Sequence, residues 1–221
     1  MFDQSCYKKA ISFFGLISIP VLSQATIYHD VEFPDGAVSF ADEVVAYNPA
    51  YDGNTGPDIT YQDPTKALGI PDYPEGPDPE YVSLGDGGFI TLRFTDNSLT
   101  GSDDDGLDLW IFEIGPDVED TAVEISKNGI TWFSVGEVGG STSGIDIDAF
   151  GWDSSDQFSY VRLTDDPFEG QQGSGGTIGA DIDAVGAISS AAPVIPIPAA
   201  VWLFGSGLIS LIGLARRTKA V

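Results

Sequence analysis

Cysteine is almost missing from this chain of 221 residues: Cys6 stands alone, so no disulfide can form within the chain and no thiol chemistry is available beyond position 6. Histidine is as scarce. His29 is the only one, which excludes a zinc site built from several imidazoles and leaves any Ser-His-Asp arrangement dependent on one residue near the amino terminus. Positive charge is the third shortage: 9 Lys and Arg face 34 Asp and Glu, a formal net charge of −25. Between residues 26 and 190 only Lys66, Arg93, Lys127 and Arg162 oppose every acid of the chain except Asp3. Binding to phosphate backbones needs Lys and Arg, so nucleic acid is excluded as a partner. A domain that binds cations, or stays soluble by self-repulsion, fits this balance.

Charge is absent in a different way at the two ends. Lys8 and Lys9 precede an apolar run from Ala10 to Leu22, and Ser23-Gln24-Ala25 ends in a small residue. A charged leader, a short apolar stretch and a small-residue site predict a secretory signal peptide over residues 1–25, with Thr26 as the mature amino terminus. The run is short for a membrane span, which is the alternative reading. Cys6 lies before the apolar run, and lipoprotein-type acylation is not suggested. At the other end no residue from Ile195 to Ala215 is charged, and roughly 20 apolar residues cross a bilayer as a helix. A transmembrane helix is expected over about 197–215, within a carboxy-terminal segment of 191–221. The basic cluster Arg216-Arg217-Thr218-Lys219 follows, and cationic flanks stay cytoplasmic, so the preceding chain is expected outside the cytoplasm.

Val194-Ile195-Pro196-Ile197-Pro198-Ala199-Ala200, the apolar helix and the terminal basic cluster together resemble the PEP-CTERM family of bacterial surface-sorting tails in its VPLPA-type variant. The resemblance implies that Pro196, Pro198, Ala199, Ala200, Arg216 and Arg217 are an address read by an exosortase, a membrane-embedded sorting enzyme that removes the helix. A permanent single-span anchor is the other reading. Either places the domain at the outer face of a membrane, at the cell surface or in the extracellular matrix.

Residues 26–80 are rich in Asp, Pro, Gly and Tyr, with one strand expected near Val38 to Val45 and loops after it, or a disordered spacer from Pro49 to Glu80. From Tyr81 on, short β-type runs recur: Tyr81–Leu84, Phe89–Phe94, Leu107–Ile114, Ala122–Ser126, Ile130–Val135, Phe158–Thr164 and Ile182–Ile188. Gly and Asp turns separate them and no helical pattern intervenes. An all-β fold is predicted, an antiparallel, jelly-roll-like β-sandwich over residues 26–190. Asn128-Gly129 predicts a type I′ hairpin joining Ala122–Ile125 to Thr131–Ser134.

Ala67-Leu68-Gly69-Ile70-Pro71-Asp72, Asp108-Leu109-Trp110-Ile111-Phe112-Glu113, Ser126-Lys127-Asn128-Gly129-Ile130-Thr131-Trp132 and Tyr160-Val161-Arg162-Leu163-Thr164-Asp165 fall in an order that is similar to discoidin or galactose-binding-like cell-surface sandwiches. That resemblance implies a non-catalytic module facing polysaccharide, with a structural Ca2+ in many members.

An octapeptide recurs at Gly144–Gly151 and Gly179–Gly186, each copy carrying Asp-Ile-Asp: Asp146 and Asp148, then Asp181 and Asp183. Residues two apart on a strand share a face, so neighbouring copies are expected to bring four carboxylates together, where Ca2+ with its 6 to 8 oxygen ligands would relieve their repulsion. The loop with Asp104, Asp105 and Asp108 offers a second set of hard oxygens. Solvated acidic faces are the competing reading of both. Among the aromatics, Trp110 and Trp132 are expected in the core and Trp152, between Gly151 and Asp153, as an exposed ligand contact. The reading is of a non-enzymatic surface protein; the alternative is a carboxylate-dependent extracellular glycoside hydrolase.

Overall fold

The computed structural model describes residues 24–50, 55–74, 79–115, 119–170 and 176–193. The expected signal peptide up to Ser23, the sorting motif, the span over about 197–215 and Arg216 and Arg217 lie outside the described residues. Among those described, no helix is long and apolar enough to cross a membrane.

Among the described residues thirteen strands follow one another: β1 (Thr26–Tyr28), β2 (Val31–Phe33), β3 (Glu43–Asn48), β4 (Val82–Ser83), β5 (Phe89–Arg93), β6 (Ser98–Leu99), β7 (Leu109–Glu113), β8 (Glu119–Ser126), β9 (Phe133–Gly139), β10 (Thr142–Ile145), β11 (Tyr160–Gly170), β12 (Asp181–Ala187) and β13 (Ser190–Ala191). Every pairing is antiparallel. A four-stranded sheet runs β10-β7-β12-β4 and a five-stranded sheet β3-β5-β11-β8-β9, with β1-β2 and β13-β6 as two-stranded additions. The alternation of β5, β8 and β11 sends Ile90, Leu92, Val123, Ile125, Val161 and Leu163 inward, where they meet Leu109, Ile111, Ile182 and Val185 of the opposing sheet in one buried cluster. The molecule is the antiparallel two-sheet sandwich expected from the sequence.

Strand β12 departs from simple alternation, since all seven of its residues are buried. The cause is a second layer. The β1-β2 hairpin and the 3-10 turn Gly36–Ser39 put Phe33 and Phe40 on the outer side of the four-stranded sheet, against Phe112 and Ala184. Gly186 permits this approach: a Cβ there would lie 2.7 Å from a Phe33 ring carbon and 2.9 Å from one of Phe40.

Several expectations are corrected. The strand placed near Val38 to Val45 is β3, starting only at Glu43 after the 3-10 turn. The spacer alternative fails for 55–74, which folds into two 3-10 turns, Ile59–Tyr61 and Pro64–Ala67, with Ala67 fully buried. The hairpin after Ser126 exists, with Ile125 paired to Phe133, but not as a two-residue turn. Gly129 has φ +72° while Asn128 does not enter the positive region. Asn128 Oδ1 instead accepts from the N–H of Ile130 and of Thr131, so its side chain closes a longer loop. The two-residue turn with both φ positive is found at His29-Asp30, between β1 and β2.

Candidate functional site

The outer face of the five-stranded sheet gathers side chains that alternation directs away from the core. Cross-strand register aligns Phe89 with Thr164, and Thr91 with Arg162 and Glu124. Arg162 donates from Nη1 to Glu124 at 3.2 Å and from Nε to the Thr91 hydroxyl at 3.3 Å. Its guanidinium lies 3.9 Å from the ring centre of Trp132 and 5.8 Å from that of Phe89. Trp132 meets Tyr160 edge-on at 6.5 Å, and Arg93 stands 5.5 Å over Tyr160. The result is a row of rings and guanidinium groups in mutual contact across the sheet. Beside it, Gly87, Phe89, Glu124, Arg162 and Thr164 border a depression of about 310 Å3. Such a surface can stack on the apolar face of a flat ring and offer donors and acceptors around it.

Trp132 is thus corrected: it is half-buried on the outer face, not in the core. Trp110, also half-buried, packs beside the Phe33–Phe40 layer. Trp152 is the opposite case. Rather than standing free, it is half-buried against the core, 4.6 Å from the Phe133 ring and 5.2 Å from Phe158, with Lys127 over its face at 5.6 Å.

The seven aspartates expected to hold metal divide among three places. Asp108, Asp146 and Asp148 come together, with one carboxylate oxygen from each lying within 4.8 Å of the others. Asp108 precedes β7 and is fully buried, whereas Asp146 and Asp148 follow β10. Asp108 Oδ2 accepts from the Ile147 N–H at 2.9 Å, and its Oδ1 has no hydrogen bond. Asp148 Oδ2 accepts from the Ser102 N–H at 2.8 Å. Burial holds Asp108 above the ordinary carboxylate range, opposed by the hydroxyls of Ser189 and Ser102. Asp104 and Asp105 stay outside this group. Asp104 Oδ1 accepts from the Gly106 N–H at 2.7 Å and closes its own turn, and both residues are exposed.

Asp181 and Asp183 are elsewhere, so the expected convergence of four carboxylates is corrected. Both octapeptide copies flank β7, but Gly144 of the first and Gly186 of the second are paired with the same residue, Trp110. The first copy begins where the second ends. The second is strand throughout its Asp-Ile-Asp, while the first leaves β10 after Ile145 and enters the 3-10 turn Asp148–Phe150. Asp181 accepts from the Ser83 hydroxyl, and burial pushes it up to about 7. Asp183 sits at a register shift between Ile182 and Ala184, opposite Glu113 and Phe112. A bulge of this kind re-aims a side chain.

Two groups emerge that sequence reasoning passed over. Glu113 is 3% exposed, and burial followed by the neighbouring Glu119 pushes it up to about 9. His29, set aside as a terminal residue, is held in the hairpin turn with its ring 5.8 Å from that of Phe112. The type I′ turn carries no Asn-Gly or Gly-Gly signal here, which is why it was not legible.

No family model matches the chain, and no curated protein matches it. Among solved structures, the chain is similar to CpGH89CBM32-6 produced by Clostridium perfringens, at 9% identity over 68% of this chain and 94% of that one, with a TM-score of 0.37. It is also similar to the C-terminal domain of a chitobiase from Bacteroides fragilis, at 14% identity over 73% of this chain and 98% of that one, with a TM-score of 0.36.

Proposed function

We propose that this chain is an exported, non-catalytic β-sandwich that binds extracellular polysaccharide through the outer face of its five-stranded sheet. The observation that carries this reading is the Phe89–Arg162–Trp132–Tyr160–Arg93 row. Two of the four basic residues between 26 and 190 lie in it. Each is already paired, Arg162 with Glu124 and Arg93 with Glu43. The row itself is therefore close to neutral within a strongly acidic chain. A neutral sugar chain suits it better than a polyanion, because the surrounding charge repels anions. Export and sorting by an exosortase-type enzyme rest on the sequence of the two ends. Retention of the helix as an anchor gives the same location.

A structural Ca2+ belongs to the same reading. Asp108, Asp146 and Asp148 would supply hard oxygen ligands, and the unsatisfied, buried Asp108 Oδ1 fits a cation better than a solvated acidic surface. Bound there, the ion would tie the loop before β7 to the segment after β10.

The binding reading is tested by screening the full chain on immobilised neutral polysaccharides, with reducing-sugar release measured in parallel. Phe89→Ala and Trp132→Ala are each expected to weaken binding by about tenfold, since a stacking ring contributes on the order of 1 kcal/mol or more beyond its buried area. No sugar should be released. Release of reducing ends, or binding untouched by either change, would contradict the proposal.

A further inference from the structure

A cavity of about 250 Å3 lies on the opposite sheet from the aromatic row, lined by His29, Tyr73, Phe112, Glu113, Thr142 and Asp183 among others. Its walls are largely apolar, yet two lining residues are buried acids, Glu113 at 3% and Asp183 at 1% exposure. Glu113 Oε1 and Asp183 Oδ2 have no hydrogen bond. The fold satisfies a purely structural carboxyl differently: buried Asp165 accepts from the Gly87 N–H on one oxygen and the Ala180 N–H on the other, both at 3.0 Å. Asp183 is held on one side alone, by a long contact of 3.4 Å from the Asp72 N–H to Oδ1 and by the neighbouring Tyr73 N–H and Asp72 carboxyl, while Oδ2 is left without a partner. Leaving such oxygens buried and unmatched is unfavourable, and more so if they are charged.

We propose that this cavity binds a small organic ammonium ion, its charged head between Glu113 and Asp183 and its apolar body against Phe112 and Tyr73. Charge, size and wall chemistry each point to that ligand. Two acids with unused oxygens select a cation. A volume of 250 Å3 is several times the roughly 30 Å3 of a water molecule, too large for a bare ion and close to the lower end of small-ligand pockets. Aromatic faces attract cations and bury hydrocarbon at once. A divalent metal fits less well, because among the described residues three metal-spaced carboxylates occur only at Asp108, Asp146 and Asp148.

The electrostatic surroundings agree with this geometry. Without a cation, burial and then Glu119 favour the neutral form of Glu113, with Asp181 acting in the same direction. Burial, and the carboxylate of Asp72, do the same for Asp183. An ammonium between them favours the ionised forms, so binding should expel protons. This site is independent of the sheet face, and either can fail alone.

The test is calorimetric titration of the full chain at pH 7 with benzylamine, using benzyl alcohol as a control of similar shape without the charge. Benzylamine should bind saturably and at least tenfold more tightly than the alcohol, with heats that differ between two buffers of unequal ionisation enthalpy. Glu113→Gln keeps the size and neutral hydrogen bonding of the acid but cannot ionise, and should weaken binding by tenfold or more. Ser141 lies at the exposed rim, so Ser141→Lys should weaken binding without disturbing the core and serves if the first variant folds poorly. Equal binding of the alcohol, no saturable heat with benzylamine, or affinity unchanged in both variants would overturn the proposal. So would abolition of a calcium response by Glu113→Gln, which would make the cavity a metal site.

Discussion

Glu113 shows most directly what burial does to a single residue. Its carboxyl is raised to about 9 by burial, then by Glu119, whereas the unfolded chain leaves a glutamate near its ordinary value of about 4.3. The folded state therefore holds a proton that the unfolded state releases. The stability this contributes is fully present below the unfolded pKa and is lost as pH rises toward the folded one. Asp181 and Asp183, each raised to about 7, act with the same sign over a narrower window. Stability should fall as pH increases from about 5 to about 8, by up to about 1.4 kcal/mol per pH unit for each proton involved. Denaturant unfolding of Glu113→Gln should show a flatter pH dependence and greater stability than the parent at pH 8. An unchanged slope would show that Glu113 is not held protonated. Nothing in the sequence marks this residue: its apolar surroundings in Leu109–Glu113 were legible, but its crowding by Glu119 comes from the fold.

At the scale of elements, most of the strand runs were readable, and the reasons for the misses are physical. Alternation in β5, β8 and β11 showed itself because one sheet face is buried and the other open. Strand β12 read as an alternating Asp-Ile-Asp strand with one acidic face, because the layer of Phe33 and Phe40 that buries its second face is a long-range event. The bulge at Asp183 and the offset of the two octapeptides about β7 depend on register, which no local pattern sets. That offset decides which acids can share an ion. If Asp108, Asp146 and Asp148 hold Ca2+, the ion stabilises the folded state by RT ln(1 + [L]/Kd), about 2.7 kcal/mol at a hundredfold excess over Kd. Millimolar Ca2+ should raise the melting temperature by several degrees, and Asp148→Asn should remove most of the rise. Asp104→Asn with Asp105→Asn should leave it intact. A melting curve that responds equally to NaCl of the same ionic strength would show a solvated acidic cluster instead.

For the molecule as a whole, the distribution of scarce positive charge is the organising fact. All four basic residues between 26 and 190 meet a carboxylate: Lys66 with Glu80, Arg93 with Glu43, Lys127 with Asp156 and Arg162 with Glu124. Three of them also stand over aromatic rings, and two of those three share the outer sheet face. The sequence announced the scarcity, but only cross-strand register assembles the row. The polysaccharide reading therefore stands or falls on where a sugar chain touches the protein. Chemical-shift mapping of the 15N-labelled chain, titrated with a polysaccharide it retains, decides this most directly. The account expects shifts centred on Phe89, Glu124, Trp132, Arg162 and Thr164, with the Trp132 indole N–H among the largest. Shifts confined to the loops around Asp108 and Asp148, or to the cavity at Glu113, would contradict it.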